Sequence, residues 1–294
     1  MNKTDLPNPV PIFRGVVQKA TYKEQLVPRY RANPLIEALP SILSAEDSAK
    51  LLAYYPELTP NAQKLPPEIR MHLIMDILHC FQPQPIHLDL EQRVSRTIRD
   101  NYVGRDPLAK DQWINLDQSV SSILKGGGIP MPSSNVNGFS IIGIPGIGKT
   151  TGMERVLLLT PQVLYHESYG GKPFSRIQLT WLKITCPHDG SVKALCLEFF
   201  RAVDGVLDTR YYRDYGGEGR RTVDELIANM WRVAWIHCLG LLVIDEIQHL
   251  NQAKSGGAEK MLNFFLQLMN TLGVPVLMIG TYAAMEIFQR GLRQ

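Results

Sequence analysis

The phosphate-loop motif at residues 143–150 is the feature that most constrains the fold of this chain. Its letters, GIPGIGKT, satisfy the pattern G-x-x-x-x-G-K-[ST] at every fixed position. Glycines let the backbone bend so that several N–H groups point at one spot, and a helix beginning near Lys149 adds the positive end of its dipole. We therefore predict that Lys149 reaches the β- and γ-phosphates of a nucleotide and that the hydroxyl of Thr150 holds Mg²⁺.

The segments on either side of the loop support the same prediction. Residues 139–142 have the apolar pattern of a short buried strand, and residues 151–159 have the pattern of a helix. A glycine-rich turn without a ligand is the alternative, which the strand–loop–helix context disfavours. The predicted phosphate-binding residues are Gly143, Pro145, Gly146, Ile147, Gly148, Lys149, Thr150 and Thr151.

Residues 239–246 form a second decisive stretch, in which four consecutive apolar residues precede Asp245 and Glu246. This run predicts a strand buried on both faces in a parallel sheet, with two carboxylates at its C-terminal end. Given the phosphate loop upstream, we predict that Asp245 helps to hold Mg²⁺ and that Glu246 polarises the attacking water. A strand that merely ends in acidic turn residues is the alternative.

Residues 274–280 predict another buried strand, whose tip would place Thr281 beside the γ-phosphate.

The composition limits the class of protein. With 294 residues, 45% of them hydrophobic, the chain can hold one large or two ordinary globular domains. The net charge of +3 permits nucleic-acid binding without requiring it. The four cysteines are scattered without a C-x-x-C pair, which predicts reduced core residues instead of a metal or redox site. No apolar run approaches the ~18 residues of a membrane span and no signal peptide is evident, so we expect a cytoplasmic protein without a membrane partner.

The sequence predicts three regions. Residues 1–40 are proline-rich and basic, which is typical of an arm that orders on a partner or on nucleic acid, or of a solvated tail. Residues 41–100 predict a small helical module, with helices at 44–55, 67–81 and 88–101. Arg93, Arg96 and Arg99 share one side of the last helix, which we expect to face solvent, with phosphates as the alternative. Residues 101–294 would form the nucleotide-binding core.

The sequence pattern of the remaining core residues predicts alternating strands and helices. This is typical of an α/β fold with a parallel sheet flanked by helices, here with an N-terminal helical extension. Strands at 163–166 and 177–184 would form a hairpin around a polar turn. Residues 211–221 predict a basic, tyrosine-containing loop. Because a fifth core strand and a helical lid are not evident, we expect a core truncated at its C-terminus. Further helices are predicted at 115–124, 191–207, 222–238, 259–271 and 283–293.

The order of these motifs resembles an AAA+ ATPase core, in which a phosphate loop, a second strand, an acidic strand and a sensor strand follow one another. Four stretches also resemble the TnsC family of transposition regulators, whose TniB relatives share the ATPase core. They are YRANPLIEALP at 30–40, YVGR at 102–105, LLVIDEIQHL at 241–250 and MLNFF at 261–265. The resemblance covers nearly the whole chain, although its ATPase motifs are common to many families.

The resemblance implies an oligomer, dependent on ATP and Mg²⁺, that assembles around double-stranded DNA. Such regulators receive a target-selection protein of the TnsD or TniQ type and pass the signal to a transposase of the TnsA and TnsB type. The resemblance assigns adenine contacts to Tyr102, Val103 and Arg105, and it assigns a trans-acting arginine to either Arg290 or Arg293. It also implies contacts to the DNA backbone from the hairpin turn, the tyrosine-rich loop and the segment after the acidic strand. The candidates are Lys172, Arg176, Arg213, Arg220, Arg221 and Lys254.

Other functions stay open at this point. A helicase loader or replication initiator would share the ATPase core, but we find neither a longer DNA-binding domain nor a clear helicase-docking segment in the sequence. A nucleotide-gated scaffold would bind protein partners and would lack ATP-dependent, salt-sensitive DNA binding. A metabolic kinase is disfavoured because nothing in the sequence resembles a second substrate pocket.

Overall fold

A computed structural model describes residues 13–57, 59–105, 107–108, 138–217, 221–252 and 273–285. The helices predicted at 115–124 and 259–271, and most of the one predicted at 283–293, lie outside these ranges. The strands are β1 (Val17–Lys19), β2 (Phe139–Ile142), β3 (Val163–Tyr169), β4 (Lys172–Leu179), β5 (Leu182–Thr185), β6 (Leu242–Asp245) and β7 (Val276–Gly280). The α-helices are α1 (Pro34–Glu37), α2 (Ala45–Leu52), α3 (Pro67–Ile74), α4 (Pro85–Val103), α5 (Lys149–Leu157), α6 (Val192–Leu207) and α7 (Val223–Ile236).

The larger sheet contains parallel strands in the order β2, β7, β6, β5. Every residue of β6 and β7 is buried, because strands inside a parallel sheet are covered on both faces. This confirms the strands predicted at 239–246 and 274–280. Strand β2 is partly buried, with Ser140 exposed, although its apolar pattern predicted a buried strand.

Alternate residues of the central strands enter two hydrophobic cores, one on each face of this sheet. Leu242 and Ile244 of β6 pack in the core that contains residues of α6 and α7. Val243 and Leu277 pack in the other core, with residues of α4 and α5. This alternation follows from the two-residue period of a strand. The fold is therefore a parallel sheet between two helical layers, which confirms the predicted α/β class. None of the described helices is long and apolar enough to span a bilayer.

The segment at residues 13–40 packs against the core and does not form a free arm. Strand β1 pairs in parallel with β3, and Leu35 and Ile36 are buried in the core that contains α4 and α5. The side-chain amide of Asn33 donates to the carbonyl of Tyr102 at 2.8 Å, which ties the segment to the end of α4. The expectation that this segment orders only on a partner is wrong for its described part, because a few closely spaced apolar residues anchor it.

Strands β3 and β4 form the predicted hairpin. Its turn consists of Gly170 and Gly171, whose φ angles of 56° and 75° suit a tight two-residue turn. The single strand predicted at 177–184 is wrong, since the chain passes from β4 to β5, which belong to different sheets. The crossing occurs at Thr180 and Trp181, both fully buried, so the apolar pattern continues where the strand is broken.

The region predicted as a helical module contains α2, α3 and most of α4. Helix α2 is capped by Ser44, the first residue of the helix predicted at 44–55, because its hydroxyl oxygen accepts a hydrogen bond from the Asp47 N–H at 3.0 Å. Helix α4 packs against α5, the helix that follows the phosphate loop. The predicted solvated arginine stripe is wrong for Arg99, which is buried and donates to Ser95 and to the Pro40 carbonyl. A buried guanidinium requires such partners.

Candidate nucleotide-binding site

The C-terminal ends of β2, β6 and β7 meet the N-terminus of α5 at one edge of the parallel sheet. A cavity of about 370 Å³ opens there, which is where ligands of open α/β sheets bind. Of the predicted phosphate-binding residues, only Gly143 and Ile147 do not line it. The lining residues are Pro145, Gly146, Gly148, Lys149, Thr150, Thr151, Asp245, Glu246, Gln248, Gly280 and Thr281.

The loop between β2 and α5 has the backbone shape that its glycines permit. The φ angles of Gly146 and Gly148 are 79° and 89°, in the left-handed region that side chains disfavour. A Cβ atom at either position would meet no atom within 4 Å, so the loop surface is open. The Lys149 ammonium donates to the carbonyls of Gly143 at 3.0 Å and Ile144 at 2.8 Å. The loop therefore presents a helix N-terminus and a cation to the same cavity, an arrangement suited to phosphate.

Thr150 and Asp245 bring two oxygen atoms together beside the loop. The Thr150 hydroxyl donates to Oδ2 of Asp245 at 2.9 Å, although the residues come from α5 and β6. Asp245 is buried, with 5% of its surface exposed. Mg²⁺ prefers oxygen ligands and is commonly bound by one or two protein side chains together with phosphates. These two residues could therefore hold Mg²⁺ next to a nucleotide.

Glu246 and Thr281 are joined by Gln248, a residue that the sequence analysis did not single out. The Gln248 amide nitrogen donates to the Glu246 carboxylate, and its amide oxygen accepts from the Thr281 N–H at 3.1 Å. Glu246 has a φ angle of 59°, and its N–H donates to Oδ1 of Asp245 at 2.9 Å. The tips of β6 and β7 are thus linked by side chains at the predicted γ-phosphate position. An amide two residues after the acidic pair was the only signal for this role.

Lys183 is a second residue that the sequence analysis missed. It lies on β5, next to β6, and its ammonium donates to Glu154 of α5 at 2.6 Å and lies 3.2 Å from Oδ2 of Asp245. The signal in the sequence is a single lysine between two apolar residues, Leu182 and Ile184. Only the strand order, which places β5 beside β6, reveals its partner.

The residues predicted to contact adenine are mostly inside the protein. Tyr102 is fully buried and its hydroxyl donates to the Cys238 carbonyl at 2.7 Å, while burial raises the pKa of the phenol. Arg105 is also buried and donates to the Leu239 carbonyl at 3.0 Å. These side chains attach the end of α4 to the chain entering β6, so the structure does not bring them to a nucleotide-accessible surface. Val103 is exposed, and its contact with adenine stays a prediction.

Within the described residues, the basic side chains predicted to contact DNA lie on different elements of the fold. Lys172 is exposed at the first position of β4, directly after the hairpin turn. Arg176 is not on the turn, because it pairs with His166 in the middle of the hairpin. Arg213 is exposed in the helical turn Tyr212–Gly217, and Arg221 donates to the Asp214 carbonyl at 3.1 Å. Outside the described residues lie Arg220, Lys254, Arg290 and Arg293.

The tyrosine-rich loop faces the core. Tyr211 and Tyr215 stack with ring centroids 5.7 Å apart, and the Tyr211 hydroxyl lies 2.8 Å from Nε2 of His237. Both tyrosines pack against the core that contains α6 and α7. Their rings therefore stabilise the fold, and the basic character of this loop rests on its arginines.

The sequence profile of a family described as AAA domain matches residues 137–288, slightly more than half of the chain. No curated protein matches the chain. The matched segment includes the phosphate loop, β6, β7 and every residue that lines the cavity. The chain therefore belongs to the AAA domain family of ATPases.

Proposed function

We propose that this protein is an ATP-dependent, DNA-binding regulator of transposition that oligomerises on target DNA and links a target-selection protein to a transposase. The observation that carries the ATP-dependent part of the proposal is the convergence of Lys149, Thr150, Asp245, Glu246 and Thr281 on one cavity of an AAA domain. ATP hydrolysis would set the lifetime of the DNA-bound state. The protein would act in the cytoplasm.

Residues that line the cavity would provide most of the groups that ATP hydrolysis needs. In the proposed reaction, Lys149 exchanges the loop carbonyls for the β- and γ-phosphates, and the N–H groups of the loop bind the same phosphates. Glu246 accepts a proton from water as the water oxygen attacks the γ-phosphorus and the bond to the bridging oxygen of ADP breaks. Thr281 lies at the tip of β7, where its hydroxyl can bind the γ-phosphate. Thr150 and Asp245 would hold Mg²⁺, which neutralises phosphate charge when bound.

The hairpin supports the DNA-binding part of the proposal. Lys172 is exposed directly after the turn, and Arg213 is exposed on the helical turn Tyr212–Gly217. Exposed cationic side chains can bind the phosphate backbone without reading the base sequence. Such binding suits a regulator that must assemble on many target sequences.

The transposition part rests on the resemblance of four stretches to the TnsC family. That resemblance implies that a neighbouring subunit supplies Arg290 or Arg293 to the γ-phosphate, so that hydrolysis requires an oligomer. It also implies partners of the TnsD or TniQ type and of the TnsA and TnsB type. A nucleotide-gated scaffold without DNA binding is the competing function.

The test is binding of the purified protein to double-stranded DNA with ADP, with ATP and with a non-hydrolysable ATP analogue. We expect rings or filaments in electron micrographs only with a triphosphate, and an affinity that falls as salt rises. Lys149→Ala should abolish assembly, whereas Lys50→Ala, which removes an exposed lysine paired with Glu46, should not. Nucleotide binding without assembly on DNA would refute the regulator and favour the scaffold.

A further inference from the structure

Lys183 places a cation between two carboxylates beside the candidate metal position. Its ammonium lies 2.6 Å from Oε1 of Glu154 and 3.2 Å from Oδ2 of Asp245. Only 10% of the lysine side chain and 6% of the aspartate side chain are exposed. The Glu154 side chain is 30% exposed. The three groups therefore form an ion-pair network that is largely screened from water.

One carboxylate oxygen of Asp245 contacts both the Lys183 ammonium and the helix that follows the phosphate loop. Oδ2 of Asp245 accepts the Thr150 hydroxyl at 2.9 Å and also faces the Lys183 ammonium. Lys183 pairs with Val243 in the register of β5 and β6, so its side chain is on the sheet face that α5 covers. Glu154, on α5, competes with Asp245 for this lysine. Lys183 thus connects strand β5, strand β6 and helix α5 through charge.

A lysine is a costly residue at this position in a strand. Its neighbours Leu182 and Ile184 are buried, and an apolar side chain would avoid the desolvation of an ammonium group. The lysine also reduces the negative potential at Asp245, the buried carboxylate among the described residues that line this cavity. A purely structural ion pair would not need to include that carboxylate.

We infer that Lys183 is a positioning residue that sets how strongly Asp245 attracts Mg²⁺. Glu154 also pairs with the Lys183 ammonium and so weakens the effect of this cation on Asp245. The inference rests on the nucleotide and Mg²⁺ site of the proposed function. Removing the cation leaves Asp245 and Glu154 uncompensated, so a divalent cation binds more tightly. When the Glu154 charge is removed, the Lys183 ammonium pairs with Asp245 only and neutralises it more fully, so a divalent cation binds less tightly.

The experiment measures the Mg²⁺ concentration at which a fluorescent ADP analogue gives half of its maximal signal on the protein. We expect Lys183→Met to lower this concentration, and Glu154→Gln to raise it, each by roughly threefold to tenfold. Lys183→Arg keeps the charge and should return the value close to that of the wild type. Lys19→Met, which removes an exposed lysine paired with Glu167, is the matched control and should leave it unchanged.

Thermal unfolding without nucleotide verifies that each variant is folded. If Lys183→Met does not fold, Glu154→Gln alone decides, and an unchanged Mg²⁺ midpoint in that variant overturns the inference. Equal midpoints in all variants, with altered unfolding temperatures only, also overturn it and leave the proposed function intact. A wild-type protein that binds no nucleotide at any Mg²⁺ concentration overturns both.

Discussion

At the scale of single residues, Gln248 connects the ends of two strands at the cavity through both ends of its side-chain amide. It donates to the Glu246 carboxylate with its amide nitrogen and accepts from the Thr281 N–H with its amide oxygen at 3.1 Å. Glu246 adopts a φ angle of 59°, which costs about 1 kcal/mol or more in a residue with a side chain. Such a conformation persists when neighbouring groups fix it, and Gln248 is one of these groups.

We predict that Gln248→Ala lowers kcat for ATP hydrolysis about tenfold while KM for ATP changes little. The variant keeps the groups that bind phosphate but lets the Glu246 carboxylate rotate away from the attacking water. Steady-state kinetics separate the two parameters. Gln18→Ala, on the exposed strand β1, is the control. A rise in KM at constant kcat would instead assign Gln248 to nucleotide binding.

The sequence predicted the residues of the cavity that belong to fixed motifs. Lys149 and Thr150 follow from one short pattern, and Asp245 and Glu246 follow from a buried strand that ends in carboxylates. Lys183 could not be predicted, because its role depends on β5 lying beside β6, which no local pattern reports. The buried positions of Tyr102 and Arg105 also depend on a distant element, the chain that enters β6.

At the scale of elements, Gly240 lies at a close junction between α4, the crossing from β4 to β5, and the start of β6. A Cβ atom at this glycine would lie 2.4 Å from the Thr180 carbonyl oxygen and 2.6 Å from the Tyr102 hydroxyl. The first of these is a backbone atom between two strands, so it cannot move aside without displacing the sheet. The helix that carries Tyr102 is thereby held against the start of β6.

We predict that Gly240→Ala lowers the free energy of unfolding by about 2 kcal/mol or more, because it overpacks this junction. Denaturant titration of the whole chain measures the effect. Gly152→Ala is the matched control, since its new Cβ would meet only the side chain of His87, at 2.9 Å, and alanine favours a helix. Equal stability of both variants would show that the junction is not tightly packed.

Two segments, the one at residues 177–184 and the one at the N-terminus, show which features of the fold a local sequence pattern did not predict. The apolar pattern of residues 177–184 runs through the crossing at Trp181, because both sheets bury their side chains there. The N-terminal segment was predicted as an arm from its prolines and charges, yet Leu35 and Ile36 anchor it. In both cases tertiary contacts decide the structure, and a local sequence window does not contain them.

At the scale of the whole molecule, a buried histidine makes stability depend on pH. Burial lowers the pKa of His237 from its usual value of 6.5 to about 4. Between pH 6.5 and pH 4, His237 is therefore largely protonated in the unfolded chain and largely neutral in the folded protein. Its contribution to stability is full above pH 6.5 and is lost as the pH falls toward 4.

We predict that His237→Gln reduces the loss of unfolding free energy between about pH 7.5 and pH 5 by about 2 kcal/mol. The glutamine does not take up a proton in this pH range, and its side-chain amide can still form a hydrogen bond with the Tyr211 hydroxyl. Urea titrations of both proteins at the two pH values give the difference. An identical loss in the variant and the wild type would show that other groups cause the acid sensitivity.

The measurement that tests the central claim most directly is the lifetime of the DNA complex formed with Mg²⁺ and ATP. We predict that wild-type complexes decay after excess unlabelled DNA is added, while Glu246→Gln complexes last about a hundredfold longer, because they bind ATP without hydrolysing it. Lys149→Ala should form no complex. Decay of the Glu246→Gln complex at the wild-type rate would contradict an ATP-switched regulator whose hydrolysis sets the bound lifetime.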